Sequence, residues 1–76
     1  MQTTLEQLKR GERAVIVDVS SAHIPLKLLE MGCLPGETFV ITKIAPLGSP
    51  IAIFIAGYEL SLRKDEADSV LIELIL

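Results

Sequence analysis

Residues 28–50, LLEMGCLPGETFVITKIAPLGSP, hold three of the five glycines and three of the four prolines of the chain. An apolar helical stretch stops at Gly32, and a Leu34-Pro35-Gly36 turn follows. The strand TFVITKI comes next, then a second turn, Ala45-Pro46-Leu47-Gly48-Ser49-Pro50. Proline fixes φ and removes an amide donor, while glycine alone takes positive φ freely. Gly32, Pro35, Gly36 and Gly48 are therefore expected to be structural turn residues, and this run fixes a local shape.

Upstream, Ser20 or Ser21 is positioned to cap a helix, with Pro25 in its first turn. Ile24, Leu28 and Met31 recur at helical spacing, with Leu29 beside them, and Lys27 and Glu30 take the wet side. Leu26 falls away from that face. Before the helix, Arg13–Val19 is rich in β-branched residues and reads as a strand, with Val15, Val17 and Val19 on one face and Ala14, Ile16 and Asp18 on the other. At the N-terminus, Thr3-Thr4-Leu5-Glu6 has capping-box spacing, so a short helix carrying Leu5 and Leu8 on one face is expected, ending at Gly11.

Downstream, Ile51–Ile55 and residues 58–63 read as strands joined by an Ala56-Gly57 hairpin, with Gly57 free to take positive φ. Tyr58, Leu60 and Leu62 alternate with Glu59, Ser61 and Arg63, the pattern of a half-buried strand. Residues 64–68, KDEAD, form a polar helical turn, and residues 69–76, SVLIELIL, form a last strand. That strand is expected to pair with the first and close the sheet, or to pair with a neighbour's edge. The pattern predicts a mainly β, single domain over residues 1–76. It is a small SH3-like, five-stranded, partly open barrel with a helix inserted after the first strand and short helical turns. A flat α+β sheet covered by the helix is the alternative.

The chain has 76 residues, of which half are hydrophobic, and a net charge of −3. So small a sphere cannot hide all that apolar surface, which points to a partner or to self-association, possible homo-oligomers included. The seven basic residues are interleaved with acids and only three residues are aromatic, which argues against a nucleic-acid partner. No apolar run approaches the roughly 20 residues needed to cross a bilayer, so direct membrane insertion is not expected. No signal peptide is visible and the one cysteine excludes an internal disulfide, so a cytoplasmic location is the simplest reading.

Catalysis has little support. The lone His23 and Cys33 do not form a nucleophile–base pair with an orienting group; Cys33 reads as a small buried residue. No Cys or His spacing suits a metal, and Asp65, Glu66 and Asp68 do not make a calcium loop. The glycines sit at turns rather than in a phosphate-binding loop, and two prolines deprive residues 45–50 of amide donors. No catalytic, cofactor-binding or metal residue is therefore assigned, and no cofactor is expected. What is left is a surface for a partner, formed by Leu26, Leu28, Leu29 and Met31 on the helix and Ala45, Pro46 and Leu47 on the stiff loop. Leu47 either projects as an apolar anchor or folds back to cap the barrel.

The segments Leu28-Leu29-Glu30-Met31-Gly32, Leu34-Pro35-Gly36, Ala45-Pro46-Leu47-Gly48, Pro50-Ile51 and Leu60-Ser61-Leu62-Arg63, in this order and spacing, resemble the FeoA family. Ser49 stands where the family often has aspartate, and Cys33 where it often has a larger apolar residue. The resemblance implies a small non-enzymatic accessory protein of bacterial ferrous iron uptake, docking on the cytoplasmic, GTPase-bearing part of the membrane transporter FeoB. A regulatory module acting on an iron-dependent repressor and a weak metal-binding protein are the alternatives.

Overall fold

Clusters of β-branched and aromatic residues set six strands: β1 (Gln2–Thr4), β2 (Arg13–Val19), β3 (Thr38–Ile44), β4 (Ile51–Ile55), β5 (Tyr58–Leu62) and β6 (Val70–Ile75). Two short helices, α1 (Leu26–Glu30) and α2 (Lys64–Ala67), join them. The structure is a computed structural model and describes residues 2–19 and 26–75, with Lys27 and Leu28 described by their backbone alone. The expected cap at Ser20 or Ser21, Ile24 and Pro25 of the helical pattern, and His23 lie outside these residues.

All six strands form one sheet in the order β1-β6-β2-β3-β4-β5, every neighbour antiparallel. The last strand does pair with Arg13–Val19, as expected, and its other edge takes up β1. The sheet curls around a core of Leu5, Leu8, Ile16, Phe39, Ile41, Ile53, Ile55, Leu62, Val70 and Ile72, all buried.

The mainly β fold holds, with six strands where five were expected. The difference lies at the N-terminus. Gln2–Thr4 is extended and pairs with Leu71–Glu73 of β6, and only Leu5–Gln7 turns, as a 3-10 helix with no side-chain cap from Thr4. The free edge of β6 offers the backbone a ladder, which outweighs a helix too short to support itself. Leu5 and Leu8 still share a face, because side chains three apart eclipse in a 3-10 turn, and both are buried.

Two β-bulges break the strict alternation of strand faces. In β2 the register shifts between Ile16 and Asp18. Val17 is left exposed, and Val19 turns inward against the core instead of sharing a face with Val15 and Val17. In β3 the shift falls between Ile41 and Lys43, so Lys43 points to water while Ile44 packs against the core. One extra residue reverses the alternation and bends the strand, and the bend lets a short sheet wrap its own core. Tyr58 is also corrected. It lies at the hairpin end of β5 and is 56% exposed, whereas Leu60 and Leu62 are buried.

Candidate functional site

The stretch after α1 is held by its turns. The Gly32 amide donates to the Leu29 carbonyl at 3.2 Å, and the Glu37 amide donates to the Leu34 carbonyl at 3.1 Å, with Pro35 and Gly36 at the corner. Gly32, at φ +106°, sits where an added Cβ would lie 2.7 Å from the Ala56 Cβ. The end of α1 is thereby fitted to the β4–β5 hairpin, whose turn residues Ala56 and Gly57 take φ of +52° and +83°.

The loop between β3 and β4 is braced from three sides. The Gly48 amide donates to the Ala45 carbonyl at 2.8 Å, and the Ala45 amide to the Pro50 carbonyl at 3.1 Å. The Ser49 hydroxyl accepts from the Lys64 amide at the start of α2, at 3.2 Å. Gly48 at φ +87° ends the turn, and the Ser49–Pro50 peptide is cis. Leu47 stands at the tip, 94% exposed. Of the two readings of Leu47, projection is the one the structure contains. Behind the loop lies an open groove of about 440 Å³. Arg10, Lys43, Ala45, Pro50 and Ser61 line it, together with Glu59, whose carboxylate accepts from Thr42 Oγ1 at 3.2 Å.

The expected surface residues differ in how far they reach solvent. Leu26 is 68% exposed and Pro46 is exposed, with Ala45 half-buried beneath the turn. Leu29 and Met31 pack against the core, so they hold α1 in place and are less available to a partner. The Leu28 side chain lies outside the described residues. Leu34, Phe54 and Tyr58, outside the surface expected from sequence, are 45%, 49% and 56% exposed. Ile51–Ile55 is apolar on both faces, so no alternation marked Phe54 as outward.

Burial pushes the Cys33 thiol up from its ordinary pKa, which keeps it protonated and unreactive at neutral pH. Among the described residues, no three histidines, cysteines or carboxylates gather as a metal site. Among them, too, no helix is long and apolar enough to cross a membrane.

The FeoA domain family model matches residues 3–74. This chain belongs to the FeoA family. The FeoA-family fold is shared with the FeoA-like protein of Clostridium acetobutylicum, at 32% identity and a TM-score of 0.87, covering 99% of this chain and 88% of that one. The zinc-complexed FeoA of Stenotrophomonas maltophilia, described as an SH3 domain protein, matches at 26% identity and a TM-score of 0.78, covering 93% of this chain and 89% of that one. In sequence, the chain is 39% identical over 72 residues to a fusion protein of Fe(2+) transport protein A and Fe(2+) transporter FeoB from Porphyromonas gingivalis. The match takes in 93% of this chain but spans only 8% of that relative's length.

Proposed function

We propose that this FeoA-family chain is a non-enzymatic accessory of ferrous iron uptake that docks on the cytoplasmic, GTPase-bearing part of a FeoB-type transporter. The observation that carries this reading is Leu47, a large apolar side chain 94% exposed on a turn braced by three hydrogen bonds. An apolar anchor on a pre-ordered loop loses little conformational entropy on binding. Leu26, at 68% exposure, supplies a second contact from α1. The Porphyromonas gingivalis relative joins its FeoA part to the transporter in one chain, and tethering raises the effective concentration of two parts that associate weakly.

The test is titration of the transporter's cytoplasmic domain, and of the whole transporter in detergent, with this chain. Leu47→Asp and Leu26→Asp are each expected to weaken binding at least about tenfold, as loss of an apolar anchor does, with the circular dichroism spectrum unchanged. Absence of binding by the wild-type chain to both preparations would sink the proposal.

A further inference from the structure

We propose that the outer face of the sheet, at the end of its strands away from the Leu47 loop, is a contact between two copies of this chain. The strand register places Arg13 beside Val40, Val40 beside Phe54, and Phe54 beside Glu59. Their neighbours Ala14, Phe39, Ile41, Ile53, Ile55 and Leu60 point into the core, so alternation turns these four outward in one row across four strands. Arg13 and Glu59 are exposed, Val40 is half-buried and Phe54 is 49% exposed. At about 4.8 Å between strands the row is about 14 Å long, and it reads positive, apolar, apolar, negative.

That order is self-complementary. A two-fold axis along the strands, between Val40 and Phe54, lays the row on its own reverse. Phe54 of each copy then covers Val40 of the other, and Arg13 of each meets Glu59 of the other. The same surface serves both partners, as a closed dimer requires. A hollow of about 250 Å³ lined by Arg13, Thr38, Val40, Phe54 and Ala56 offers the second copy's Phe54 a seat. Glu59 keeps acceptor capacity for an arginine besides its bond from Thr42. A standard interface takes about 800 Å² from each partner, about one sixth of the 4684 Å² this chain exposes. Four residues with their immediate flanks do not fill that, so the dimer is a weak one, formed between micromolar and millimolar concentration. The row lies towards the Ala56-Gly57 hairpin, and Leu47 is at the opposite end of β4, so the contact leaves the proposed transporter anchor uncovered.

Sedimentation equilibrium on the full chain over that concentration range tests the inference. The wild type is expected to associate reversibly. Arg13→Glu and Glu59→Arg are each expected to weaken self-association at least about tenfold, because like charges then face each other. The first variant carries two acids on the row and the second two bases, so a mixture of the two is expected to associate again, as is the double variant. Wild-type protein monomeric up to millimolar concentration, single variants that associate like the wild type, or a mixture that stays monomeric would each overturn the proposal.

Discussion

Cys33 shows how one side chain is read by its surroundings. It is fully buried, and desolvation raises its pKa above 9.0. The folded chain therefore holds its thiol proton more tightly than the unfolded chain does. Stability from this difference is complete below pH 9.0 and is lost as pH rises from there through the folded pKa. Urea unfolding is expected to show a steeper fall in stability above that pH for the wild type than for Cys33→Ala. Parallel profiles would exclude this coupling. Ser49 makes the same point for the loop. Its hydroxyl accepts the Lys64 amide at 3.2 Å, so a short polar side chain at this position ties the loop to the start of α2.

Elements meet at positions that no single segment announces. Gly32 ends α1 and Ala56 turns the β4–β5 hairpin, and between them there is no room for a methyl group. Gly32→Ala adds both that clash and a non-glycine residue at φ +106°. It is expected to cost roughly 2–3 kcal/mol in urea unfolding. Ala56→Gly in the same chain removes the opposing Cβ and is expected to recover part of the loss. A double variant no more stable than Gly32→Ala would mean that backbone conformation alone sets the cost. The glycine was legible as the stop of a helix, whereas the reason it must be small lies on a hairpin 24 positions later.

For the molecule as a whole, half of the residues are hydrophobic, and the fold sorts them between core and surface in a way that mutation checks directly. Leu47, wholly outside the core, is expected to tolerate aspartate within about 0.5 kcal/mol. Leu29, partly buried against the core, is expected to lose about 1–2 kcal/mol on the same change, because aspartate forfeits that apolar contact and is partly desolvated. Thermal unfolding of the two variants separates a surface anchor from a core residue, and equal losses would contradict the assignment. Both leucines belong to the surface expected from sequence, but only Leu26 and the tip of the loop face water among its described leucines.

Strands, turn residues and the stiff loop were determined by sequence, because β-branched runs, glycine and proline act over a few residues. The pairing of the last strand with the first was also legible, since a long apolar edge must be covered. The N-terminal strand, the bulges that turn Val19 and Ile44 inward, and the outward Phe54 were decided only by tertiary structure. Each depends on what a distant strand offers: a free edge, a shifted register or an already filled core. Local spacing records which residues are apolar, but it does not record which of them find room inside.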